Sequence, residues 1–189
     1  EVMHGAQTAI EEYADFGITL QIAGGRRYDV TQQLEQLEQM RIAGVSGIAI
    51  SPINLPEIEQ KINELIDQGV RILTVNSDIE NTKRLCYVGC NYHQSGVTAG
   101  GMLRLIRPQG VRAGIVTGSV RMLGHNHRMK GFSDVLKTMP DSKVVDICES
   151  LDETEIAYQV TREMLLAHPE INTLYFAAAG AVGGMQAGI

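Results

Sequence analysis

A chain of 189 residues, 44% hydrophobic and 20% charged, has the material for one domain or two small lobes and no biased tract of the disordered kind. Its formal net charge of -6 argues against nucleic-acid binding by these residues themselves, because phosphate binders carry a basic footprint. It argues equally against an acidic partner surface, and no apolar run approaches the roughly 20 residues of a membrane span.

The chain opens with a helix-like pattern that runs to about Asp15 and stops near Gly17. Residues 18–23 are β-rich and read as a strand ending at Gly24-Gly25. Asp29 or Thr31 can cap the next helix, whose apolar positions are Leu34, Leu37, Met40 and Ile42; Gly44 ends it. Residues 45–50 read as a strand broken by Ser51-Pro52. The clearest helix follows, with Ile58, Ile62, Leu65 and Ile66 on one face, and Gly69 terminates it. Residues 70–75 and 85–89 are strand-like, and a helix spans about 94–106. The alternation then restarts, with strands at 111–117, 143–148 and 173–178, helices at 126–139 and 154–168, and a last helix beginning near Gly183.

Strands alternating with helices of this length imply an α/β fold with parallel pairing and right-handed crossovers. Arg107-Pro108-Gln109-Gly110 is the natural lobe boundary, giving a first α/β lobe at residues 1–106 and a second at 107–189. Open α/β sheets bind ligands beyond the carboxyl ends of their strands. Those ends hold Gly24-Gly25-Arg26-Arg27, Ser51-Pro52-Ile53-Asn54, Asn76-Ser77-Asp78, Gly118-Ser119-Val120-Arg121, Ser150-Leu151-Asp152 and Ala179-Gly180. The set is rich in hydrogen-bonding groups and poor in aromatics, which suits a small polar ligand.

Other clusters have plainer readings. The three cysteines, Cys86, Cys90 and Cys148, are too sparse for a disulfide framework and favour a reducing compartment. Cys86–Cys90 lacks a second ligand pair, and His125-Asn126-His127 sits at a helix start without further ligands, so neither reads as a metal site. Gly24-Gly25-Arg26-Arg27 lacks the G-x-G-x-x-G spacing of a phosphate loop and reads as a solvated loop. No G-x-S-x-G or P-loop appears, nothing positions a nucleophile, and no cofactor is called for; binding without turnover is expected.

Five passages, in order, resemble the type I periplasmic-binding-protein superfamily. They are residues 46–52, 70–78, 84–96, the R-x-x-G-F run from Arg128 to Phe132, and residues 165–177. The resemblance implies two parallel-sheet βα lobes around a cleft, with a first strand before residue 1 and further βα units after residue 189. It implies ligand contacts at Asn76 and Asp78 from the first lobe and at Arg128, Asp152 and Ala179 from the second. Asp152 stands where many sugar binders place an aromatic ring, and Ala179-Gly180 stands where an Asn-Asp pair is usual. Within the superfamily the sequence is most similar to the effector domain of LacI-family transcription regulators. That implies a cytoplasmic homodimer, a carbohydrate-like effector, and operator DNA held only through a helix-turn-helix preceding Glu1. A binding protein of an ABC-type sugar transporter is the alternative.

Overall fold

The computed structural model describes residues 2–25 and 28–188. Helix α1 (Val2–Glu12) is followed by a single 3-10 turn and Gly17, whose φ of 70° supplies the left-handed residue that closes it. Helix α2 (Val30–Ile42) starts at Asp29, whose carboxylate accepts the Gln32 N–H at 3.0 Å. Strand β1 (Gly47–Ile50), helix α3 (Pro56–Asp67), strand β2 (Arg71–Val75) and the short strand β3 (Tyr87–Val88) complete the first unit. The second holds α4 (Tyr92–Ile106), β4 (Arg112–Thr117), α5 (Leu123–Leu136), β5 (Lys143–Glu149), α6 (Thr154–Ala167), β6 (Thr173–Phe176) and α7 (Ala181–Ala187).

Two three-stranded parallel sheets organise these elements. The first runs β1-β2-β3, with Ile48 beside Ile72 and Thr74 beside Tyr87. The second runs β5-β4-β6, with Ile115 between Ile147 and Tyr175. Central strand β4 is covered on both faces, which is why Ala113, Ile115 and Val116 form a continuous apolar run rather than an alternating one. In α3, Ile58, Ile62 and Leu65 are wholly buried against Ile48 and Ile72. Each such side chain contributes roughly 1.5–3 kcal/mol by leaving water. The second core gathers Val111, Ile115, Phe132 and Leu136, with Met129 and Met139 serving as packing residues.

Three expectations are corrected. Residues 18–23 form no strand: the run is extended, Ile18, Leu20 and Ile22 are exposed, and among the described residues no strand pairs with it. The alternation suits a strand, but a strand exists only through the ladder it shares with a neighbour. Helix α5 begins at Leu123 rather than Asn126.

The third correction concerns the lobe boundary at residues 106 and 107, which would cut through a packed helix pair. Ala99 and Leu103 of α4 join the second core. A Cβ built on Gly96 would lie 2.0 Å from the Arg128 carbonyl oxygen of α5, and one on Gly131 would lie 2.0 Å from that of His93. Only glycine permits backbones this close, so α4 belongs with the second unit, and the passage between units falls between β3 and α4.

Candidate functional site

The carboxyl ends of the two sheets face each other across a cavity of about 510 Å³. Asn76, following β2, reaches it from the first unit, and Arg128, Asp152 and Ala179 reach it from the second. These four anticipated residues therefore share one cleft. Asp78 does not line it. Its Oδ1 accepts from the Thr74 hydroxyl at 2.6 Å and its Oδ2 from Arg84 Nη2 at 2.6 Å. The carboxylate is turned into its own loop, which the ion pair ties to the end of β2.

Asn76 has a φ of 63°, a left-handed conformation that asparagine tolerates better than most residues. The turn is held where the Asn76 N–H donates to the Val88 carbonyl at 3.0 Å. The side-chain Oδ1 accepts from the Tyr92 hydroxyl at 2.7 Å, which leaves the amide nitrogen as the edge that can serve a ligand. Tyr92 also lies beneath Arg128, whose guanidinium carbon is 4.4 Å from the ring centroid. The ring fits there because position 124 is glycine; a Cβ would meet it at 2.8 Å. Burial raises the Tyr92 pKa, with Arg128 opposing the shift, so the phenol remains a donor at neutral pH.

Arg128 projects from α5 and donates from Nη1 to the Ala177 carbonyl at 2.8 Å, just past β6. Beside it, His125 Nδ1 lies 3.1 Å from the Ser119 N–H and 3.0 Å from the Ser119 carbonyl. Burial holds the His125 pKa below its ordinary value and favours the neutral ring.

Asp152 and Leu151 both adopt positive φ, 60° and 52°, in the turn after β5. The turn aims the Asp152 carboxylate across the cleft, where Oδ1 accepts the Ala179 N–H at 2.9 Å and Oδ2 accepts the Tyr28 hydroxyl. Ala179 thus contributes its backbone. Tyr28 belongs to the first unit, so this hydrogen bond spans the lobes. A second spanning bond runs from the Asn54 N–H to the Arg121 carbonyl at 2.7 Å.

Sequence reasoning did not assign Tyr28, Gln32, Gln36, Tyr92 or His125 to the site. The signal available for α2 was its glutamines at positions 32, 33 and 36, polar at helical spacing beside the apolar Leu37 and Met40. Gln32 and Gln36 line the cleft; Gln33 ties α2 to the loop after β1, accepting from the Ile53 N–H at 2.9 Å and donating to the Ser51 carbonyl at 3.2 Å. The Gly24-Gly25-Arg26-Arg27 loop is described only in part: Gly25 lines the cleft, while Arg26 and Arg27 lie outside the described residues.

Two α/β units with a polar cleft between their strand ends match a recognised architecture along the whole chain. The family model for a periplasmic binding protein domain matches residues 1–189. The chain belongs to that family. Among the relatives of this periplasmic binding protein domain is a D-ribose/D-allose-binding protein of Pseudomonas aeruginosa. It is 23% identical over 193 residues, which cover 97% of this chain and 60% of the relative. A glucose-galactose binding protein from Geobacillus stearothermophilus superposes with a TM-score of 0.88 at 27% identity, covering 98% of this chain and 66% of that one. An ABC transporter solute binding protein from Burkholderia graminis, solved with D-arabinose, gives a TM-score of 0.87 at 26% identity, covering 97% and 63%. The chain thus spans under two thirds of the length of these relatives.

Proposed function

We propose that this periplasmic binding protein domain captures a small polyhydroxylated molecule, a carbohydrate or a derivative of one, between its two units. The observation that carries the reading is the convergence of Asn76, Arg128, Asp152 and Ala179 on one polar cleft. Hydroxyl-rich ligands need donors and acceptors at several points, and the cleft offers an amide, a guanidinium, an imidazole and a carboxylate. The relatives named above, each described by the sugar it binds or was solved with, support the same class. Closure of the units around the ligand supplies the signal, because a ligand favours the closed state by its differential affinity for it.

The relatives favour a substrate-binding component of sugar uptake over the LacI-type effector domain expected from the sequence. One observation keeps the regulator reading in play: Cys86, Cys90 and Cys148 are free thiols and the first two are exposed, which suits a reducing cytoplasm. The regulator would be a homodimer that binds operator DNA, whereas the uptake component would be monomeric and indifferent to DNA. Sedimentation of the complete protein, with and without duplex DNA, separates the two.

Binding itself is tested by calorimetry on the complete protein with D-ribose, D-arabinose, D-glucose and D-galactose, together with the corresponding sugar acids. Saturable binding with the ligand recovered unchanged is expected, and Arg128→Ala should weaken it by at least about tenfold, in line with a lost charge-assisted contact. Ligand turnover, or no binding to any member of the panel, overturns the reading.

A further inference from the structure

The guanidinium of Arg128 is half-buried in the cleft, yet among the described residues no carboxylate lies within 4.0 Å of it. It meets the Ala177 carbonyl and the Tyr92 ring, and the hydroxyl of that ring holds the Asn76 amide. None carries a negative charge. Removing a cation from water is costly unless an anion or several acceptors replace the lost hydration, and here the protein supplies one carbonyl and one aromatic face.

The two carboxylates that line the cleft are engaged elsewhere. Asp152 holds the Ala179 N–H on one oxygen and the Tyr28 hydroxyl on the other. Asp29 caps α2. Meanwhile the carbonyl of Asn76 faces Tyr92, so the edge of the amide left for the ligand is a donor. The cleft therefore presents N–H donors and a positive charge at Arg128 and Asn76, while its fixed carboxylate, Asp152, is held at the Ala179 N–H, two residues along the chain from the carbonyl that holds Arg128.

From this we infer, resting on the carbohydrate reading, that the ligand is a sugar acid: its carboxylate sits against Arg128 and the Asn76 amide, and its hydroxyls face Asp152. A planar carboxylate matches the forked donors of a guanidinium, and its charge completes the pair that the protein leaves open. Tyr92 is the positioning residue, holding guanidinium and amide at once.

The test compares matched acid and neutral pairs on the complete protein by calorimetry: D-galacturonate with D-galactose, D-gluconate with D-glucose, and D-ribonate with D-ribose. At least one acid should bind about tenfold or more tightly than its neutral partner, the gain expected of a partly desolvated charge-assisted contact. Arg128→Gln should collapse that ratio towards one. Asn76→Asp supplies the missing countercharge without removing Arg128, and it should shift the ratio at least about tenfold towards the neutral sugar. Neutral sugars binding as tightly as their acids, or a ratio unmoved by Asn76→Asp, overturns the sugar-acid assignment and leaves the carbohydrate reading standing. Binding of neither class overturns both.

Discussion

The crossing of α4 and α5 makes a quantitative demand on one atom. In Gly96→Ala the new Cβ would lie 2.0 Å from the Arg128 carbonyl oxygen and 2.8 Å from the Phe132 nitrogen. Ordinary contact begins near 3.4 Å, so the two backbones must part by about 1.4 Å. Both obstructing atoms are main chain, so no side-chain rotation relieves the overlap. Overpacking of this kind costs about 1–3 kcal/mol, and the backbone origin of the clash places the expectation in the upper half. Alanine also favours a helix over glycine by about 1 kcal/mol, which would mask part of the loss. Gly101 supplies the control: it lies on the same helix, and its Cβ position meets nothing within 4 Å. Gly101→Ala should therefore hold or raise stability, and the difference between the variants isolates the crossing. For a domain of this size the gap corresponds to about 4–12 °C in Tm, readable by far-ultraviolet circular dichroism. Equal melting temperatures for the two variants would refute the close crossing and, with it, the assignment of α4 to the second unit.

Two further expectations separate structure from binding. Asp78→Ala removes the carboxylate shared by Thr74 and Arg84, leaving a part-buried guanidinium without its partner; urea unfolding should show a loss of about 2–3 kcal/mol, while ligand affinity changes less than twofold. A large affinity loss at unchanged stability would return Asp78 to the site. His125 governs a pH response: the free imidazole titrates at 6.5, and burial lowers the value in the fold. As pH falls below 6.5 the unfolded chain takes up the proton first, so stability declines from there through the folded pKa and is fully recovered above the free value. Melting temperatures between pH 5 and 8 should slope accordingly, and His125→Gln should flatten the slope; an unchanged slope assigns the effect to another group.

Much of this was legible along the chain. The stripe of Ile58, Ile62 and Leu65 announced α3, and Gly44 and Gly69, at φ 69° and 94°, stop α2 and α3 as their positions suggest. Asn76, Asp152 and Ala179 were legible because an alternating fold sends residues beyond its strand ends into one cleft. Arg128 was carried by the R-x-x-G-F run. Asp78 misled because it sits on the same loop as Asn76. Its partners, four residues before and six after, are local, and the choice between a loop ion pair and a ligand contact is made by side-chain direction. The boundary at residue 106 was misplaced for a different reason. Pro108 and Gly110 punctuate the chain where a helix ends, but the meeting of Gly96 with the Arg128 carbonyl is a tertiary fact that no local pattern carries. Tyr92 was visible only as a letter in a motif. Its work is to hold a residue 16 positions before it and another 36 after it, and that depends on how α5 lies.

Two bonds between the units among the described residues, Tyr28 to Asp152 and Asn54 to Arg121, bear on kinetics more than on affinity. Both tie one unit to the other, so the units cannot swing wide while the pair holds. A ligand that needs the opened cleft to leave must wait for them to break. Residence time is then governed by how often the pair of bridges breaks together, so weakening one should shorten dwell while leaving the chemical preference of the pocket as it was.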